Sequence, residues 1–174
     1  MKKLILTFIS LAFLYSAVYA QSAIDINDVN YKFKFSLSKE WNERKIEETS
    51  KQEAISYSFE KKDGNTAIML LALKVNEVKN LSDLVYTLEK DANLNIPKRD
   101  GDYTDFDSGN YDGRYAIYKD SEFSEVVYYY RTKISEGQNY TYVLRFIIPS
   151  TYFNSAVLNE VKNIAGNFSP YSEQ

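Results

Sequence analysis

The chain has 174 residues, a net charge of −3, and neither cysteine nor histidine. Those absences exclude zinc sites built on Cys or His, haem, iron–sulfur clusters, Ser-His-Asp triads and Cys-His dyads. The mildly acidic balance argues against nucleic acid and anionic membranes as partners.

The first twenty residues have the layout of a signal peptide, residues 1–20 being expected to leave on export. Lys2 and Lys3 form a basic head, Leu4 to Phe13 a short apolar run, and Val18-Tyr19-Ala20 a small-residue cleavage site. No cysteine follows the apolar run, so no lipid anchor is expected. No second long apolar stretch exists that would form a transmembrane segment. The expected location is therefore periplasmic or secreted, after cleavage near Ala20. Asp25, Asn27 and Asp28 then make an oxygen-rich stretch expected to be a flexible lead-in.

Residues 31–37, "YKFKFSL", alternate as a half-buried strand with Tyr31, Phe33, Phe35 and Leu37 on one side. A short polar strand is expected at 44–48. Its paired carboxylates, Glu47 and Glu48, point to opposite faces and so form no acid–base couple. "AISYSFE" alternates again, with Ile55, Tyr57 and Phe59 inward, and Asp63-Gly64 suits a hairpin turn. "AIMLLALKV" is apolar on both alternating sets, the pattern of a strand covered on both faces.

The period then changes. Leu81, Leu84, Val85, Leu88 and Ala92 form one helical stripe over 80–95, capped by Asn80 or Ser82 and stopped by Pro97. The acidic stretch that follows offers Asp100, Asp102, Asp105, Asp107 and Asp112 as candidate Ca2+ ligands, since calcium takes six to eight oxygens. Its spacing does not match an EF-hand, and a solvated loop beside an edge strand is the plainer expectation. No cofactor is otherwise expected.

Three strands follow in "NYDGRYAIYK", "SEVVYYYRTKI" and "QNYTYVLRFII", the last two joined by a turn at Glu136-Gly137. Alternation divides the three consecutive tyrosines. Tyr128 and Tyr130 share a face with core character, as do Tyr142 and Phe146, under a helix. Tyr129 is expected half exposed with Arg131 and Arg145, a Tyr/Arg interface candidate. On that assignment Tyr130→Ala costs much more stability than Tyr129→Ala. Pro149-Ser150-Thr151 opens a second helix with the stripe Phe153, Val157, Val161, Ile164 and Phe168, and residues 169–174 are a loose tail.

This order and its punctuation resemble the PsbP/Mog1/DcrB-like superfamily. "FKFSLSKEW" looks like its opening strand and Trp, "NYDGRYAIYK" like its mid-domain segment with a turn Gly, and "YVLRFIIPSTYFNSAVLNEVKNIAGNF" like its closing strand, helix and Phe. One departure is visible: Ser38 and Lys39 stand where members often carry Pro before the Trp turn. The resemblance implies a single α+β domain over 27–168, with an antiparallel sheet packed between helices as an α/β/α sandwich. It also implies a binding or accessory role without catalytic signature, in the envelope branch of the family.

No P-loop, G-x-S-x-G or G-x-G-x-x-G pattern occurs, so no enzyme is expected. The expected function is an exported non-enzymatic binding or accessory protein with a protein partner in the envelope. The alternative is a small-ligand or glycan binder using an aromatic sheet surface, and a carboxylate-based hydrolase stands third.

Overall fold

The computed structural model describes residues 23–75, 80–90, 94–133 and 138–171. The signal peptide and the Glu136-Gly137 turn lie outside the described residues, as do Ala92 of the helical stripe and residues 172–174.

Two antiparallel sheets organise the chain. The smaller contains β1 (Ile24–Asp28), β2 (Phe33–Leu37) and β11 (Phe168–Pro170), in the order β1-β2-β11. The larger contains β3 (Trp41–Glu48), β4 (Ala54–Lys61), β5 (Ala67–Val75), β6 (Lys98–Arg99), β7 (Thr104–Asp107), β8 (Tyr111–Lys119), β9 (Phe123–Thr132) and β10 (Asn139–Pro149). Its order is β3-β4-β5-β10-β9-β8-β6, with β7 also on β8. Among the described residues two helices complete the fold, α1 (Leu81–Lys90) and α2 (Ser155–Ala165).

The strand positions follow from side-chain pattern. β5, apolar on both alternating sets, pairs with β4 on one side and β10 on the other. β10 and β9 form the centre with long runs of buried residues on both faces. The charged β3 takes the outer edge, where its exposed Glu, Arg and Lys side chains oppose pairing with another chain. Gly64 turns the β4–β5 hairpin at φ 74°, a conformation glycine adopts without steric cost.

One face of the large sheet is sealed by aromatics. Tyr128, Tyr130, Tyr142, Phe146 and Phe59 pack with Phe33 and Phe35 of the small sheet and with Val161 and Ala165 of α2. Phe168 joins the layers, its ring 4.8 Å from Tyr130, 5.2 Å from Tyr142 and 5.6 Å from Phe33. The buried Tyr142 hydroxyl donates to the Tyr31 and Lys32 carbonyls at 2.8 and 3.0 Å, tying the turn before β2 to the large sheet. On the opposite face, Leu81, Leu84, Val85 and Leu88 of α1 cover Ala116, Tyr118, Val127, Tyr129 and Val143.

The α/β/α sandwich of the Mog1/PsbP type is not what the chain forms. Strands hold 54% of the described residues and helices 15%, so the fold is β-rich. A second sheet shares one face with α2, and among the described residues the other face carries a single ten-residue helix. Helical periodicity identifies helices correctly but is silent on how much of a sheet they cover.

Three local expectations are corrected. Asp28 is an anchor and not part of a loose lead-in: its carboxylate accepts from the backbone of Asn30 and Tyr31 and from the Tyr57 hydroxyl at 2.8–3.0 Å. Pro149 ends β10, and α2 starts at Ser155, where Asn154 Oδ1 accepts from the Ala156 and Val157 amides. Phe168 belongs to β11, and within the expected loose tail Ser169 and Pro170 pair with β2 and Tyr171 N donates to Lys32 O. Asp28 and Tyr171 gain order from distant partners, Tyr57 and Lys32, whereas the start of α2 is fixed by the local cap at Asn154.

Candidate functional site

The three residues expected to form an exposed Tyr/Arg patch share a sheet face, as alternation requires. Tyr129 pairs with Val143, Arg145 with Val127, and Arg131 with Thr141. That face is covered, which corrects the expected exposure. Tyr129 is 0% exposed and Arg145 is 6% exposed. Arg145 grips Glu125 through Nε and Nη2 at 2.8–3.0 Å and donates from Nη1 to the Leu94 carbonyl at 3.0 Å. Desolvation raises the Glu125 carboxyl above its ordinary range despite the opposing pull of Arg145. Arg131 lies nearer the surface and pairs with Asp112 at 2.8 and 3.0 Å. These side chains are joined to internal partners, so they do not constitute a shared docking patch.

The candidate calcium ligands are similarly engaged. Asp100 pairs with Lys119 at 2.6 Å, Asp105 with Arg114 at 2.9 Å, and Asp107 with Lys133. Asp102 is exposed in the turn before β7. Among the described residues, no group of three or more carboxylates is placed to hold a metal ion. The stretch forms a set of ion pairs that ties β7 to β8 through Arg114 and to Lys133 just past β9, and the 98–103 segment to β8 through Lys119. The Arg114 bond holds Asp105 below the ordinary carboxylate range, and the Lys133 bond does the same for Asp107.

Gly113 explains how β7 sits there. The ring of Phe106 lies across it, so a Cβ on Gly113 would meet that ring at 2.1 Å. Gly113 is therefore a mid-strand glycine under an aromatic ring, not a turn glycine. Its absent side chain lets Phe106 reach Tyr130, 5.5 Å away centroid to centroid.

A different cluster gathers around α1. Glu89, at the edge of its apolar stripe, receives three phenol hydroxyls. Tyr103 donates to both its oxygens at 2.8 and 2.9 Å, Tyr118 donates to Oε1, and Tyr129 does so at 3.3 Å. The Tyr118 and Tyr129 hydroxyls lie 3.2 Å apart. Burial, the leading cause for each, pushes the Tyr103, Tyr118 and Tyr129 phenols above their ordinary values. They are neutral O–H donors, unlike the activated phenolate a tyrosine nucleophile requires.

Outside this cluster the surface is cationic and aromatic. The Arg99 and Arg114 guanidiniums lie 4.0 and 4.7 Å from the Tyr103 ring centroid. Lys90 lies 4.5 Å over the Tyr86 ring and donates to its hydroxyl at 3.1 Å. A groove of about 330 Å³ runs between these groups and α1. A second groove, of about 500 Å³, continues past the N-terminal end of the helix and shares Ser82 and Arg114 with the first. A third, of about 310 Å³, lies against β4 and β5 and includes the exposed Met69 and Phe123.

Sequence reasoning missed Glu89, Tyr103 and Arg99. The available signal was slight. Glu89 stands four residues after buried Val85, at the flank of the stripe, and "RDGDY" is a turn able to bring Arg99 back to Tyr103.

No family model matches the chain. No curated protein matches it in sequence. Among solved structures it is similar to a protein from Bacteroides thetaiotaomicron VPI-5482, with 15% identity and a TM-score of 0.49 over 88% of this chain. It spans 50% of that longer protein. It is also similar to LpqN, involved in cell envelope biogenesis of Mycobacterium tuberculosis, with 11% identity, a TM-score of 0.45, and coverage of 87% of this chain and 91% of LpqN.

Proposed function

We propose that this chain is an exported, non-enzymatic binding or accessory protein of the cell envelope, and that it binds along the α1 groove. The observation carrying this reading is the cluster at Tyr103. Its hydroxyl is held by Glu89 while Arg99 and Arg114 lie against its ring, giving an aromatic-cationic surface positioned before any partner arrives. Export rests on the basic head, apolar run and small-residue site of residues 1–20. Kinship with the PsbP/Mog1/DcrB-like superfamily belongs to the same reading and rests on the three segments quoted above.

A small-ligand or glycan binder remains the second reading, moved from the sheet to the groove. The sheet rings Tyr128, Tyr129, Tyr130 and Tyr142 are buried and unavailable for stacking. A carboxylate-pair hydrolase finds less support: among the described residues Glu89 is the one carboxylate lining the α1 groove, and three phenols occupy it. No described helix is long and apolar enough to cross a membrane.

The test is capture from the native envelope with the mature protein and with a Tyr86→Ala/Arg99→Ala variant. The expected result is a chain beginning at Gln21 whose specific partner is lost from the variant. Equal recovery by both proteins would move the binding surface elsewhere.

A further inference from the structure

We infer that the α1 groove binds a small organic oxyanion, a carboxylate or a phosphate carried on a sugar-sized molecule. This rests on the groove being the binding surface, and it adds the chemistry of the ligand.

The argument comes from which charges are already matched. Glu89 accepts three phenol hydroxyls, and Asp105 takes Nε and Nη2 of Arg114. Arg99 donates only its Nε, to the Gly101 carbonyl at 3.1 Å, while its guanidinium stacks on Tyr103. That contact leaves both Nη groups without an acceptor among the described residues. Among the described residues Lys90 donates only to the Tyr86 hydroxyl. Neither cation forms an ion pair with a carboxylate among the described residues, although the chain is net negative and Glu89 lines the same groove. Nearby Lys119, Arg114 and Lys133 all have such partners.

Arg99 is also preorganised. Its ring contact and Nε bond fix the guanidinium plane, and a fixed planar fork matches an oxyanion in a two-bond arrangement. Lys90 adds a point charge lining the same cavity, and Ser82 adds a hydroxyl. The volume of about 330 Å³ stands at the lower end of the roughly 300–1,000 Å³ of small-ligand pockets, which suits one sugar ring or less. Tyr86, 58% exposed on the rim, offers that ring an apolar surface.

The test is an amide NMR titration of the mature protein at low ionic strength with glucuronate, glucose 6-phosphate and glucose. Expected are saturable shifts in 82–90 and 99–103 with one or both anions and none with glucose. Which anion binds tighter assigns the carboxylate or the phosphate. Affinity should fall with added salt and drop at least about tenfold in Arg99→Gln/Lys90→Gln, the loss expected for charge-assisted hydrogen bonds. Both side chains are exposed, so the variant's spectrum away from the groove should be unchanged. Arg99→Lys, which keeps charge but loses the fork, should fall between.

Unchanged affinity in the double variant, or no saturable shift with either anion, overturns the inference. Groove shifts with glucose alone overturn it too, while leaving the groove as a binding surface. Failure of the envelope capture to depend on the groove would instead remove the parent reading.

Discussion

The two faces of the large sheet are built on different principles. The face toward β2, β11 and α2 is filled by interlocking rings, with Phe168 in contact with Tyr130, Tyr142, Phe33 and Phe35. The face toward α1 is buried as deeply at its centre but contains the Glu125–Arg145 pair and the Glu89–phenol cluster. One face contributes stability through area and shape. The other holds polar groups that must be matched, and grooves stay open beside α1. The proposed binding role is placed on the second face for that reason.

The strongest challenge to this comparison is truncation on each face. Tyr129→Ala and Tyr130→Ala should each destabilise by about 3–5 kcal/mol, as buried aromatic truncations do. The earlier expectation of a much smaller cost at Tyr129 fails because Tyr129 is 0% and Tyr130 3% exposed. Urea denaturation of both variants decides the matter, and a Tyr129→Ala cost below half that of Tyr130→Ala would restore an exposed Tyr129.

Arg145→Met tests the polar character of the α1 face. It leaves Glu125 buried without its cation and should cost about 3–5 kcal/mol, much of which Glu125→Leu in the same chain should restore. A double variant no more stable than the single one would show that the pair contributes more than mutual neutralisation.

Gly113→Ala should cost about 1–3 kcal/mol by driving the Phe106 ring off β8. Amide exchange should quicken in β7 before it does in β9. Uniform quickening would mean that β7 is not a separable flap.

Removing only hydroxyls sharpens the contrast further. Tyr129→Phe loses bonds to Tyr118 and Glu89 and should cost about 1 kcal/mol. Tyr130→Phe should be nearly neutral, because its hydroxyl has no hydrogen bond among the described residues. Equal melting temperatures for the two would contradict the division into a polar and an apolar face.

The smallest effect is acid loosening of β7. Asp105 and Asp107 sit below the ordinary value of 3.8, so their contribution is complete above that value and is lost as pH falls through their depressed folded values. Amide exchange in residues 104–107 should rise on acidification below about pH 4 before the β9–β10 core opens. Simultaneous opening would show that these ion pairs do not hold β7.

Much of the fold was legible because strand and helix periods are local. Phe33 to Leu37, Ile55 to Phe59 and Val126 to Tyr130 alternate in space as they do in sequence. The α1 stripe at Leu81, Leu84, Val85 and Leu88 and its Asn80 cap are present, Asn80 Oδ1 accepting from Asp83 N at 2.9 Å. Strands β1 and β11 were less legible because pairing with β2, not their own pattern, orders them. Glu89 looked like one more charge on an exposed helix flank, since its three phenol donors come from other segments.

By itself the sequence determined which side the residues of β2, β4, β9 and β10 occupy, and it removed whole classes of chemistry through the lack of His and Cys. Only the tertiary structure decided what lies over each side. Tyr129 could be assigned its face from Tyr128 and Tyr130, but its burial depends on α1, whose Glu89 is 40 residues away. Alternation is a property of neighbouring backbone units. Cover is a property of distant segments meeting, and no local period encodes it.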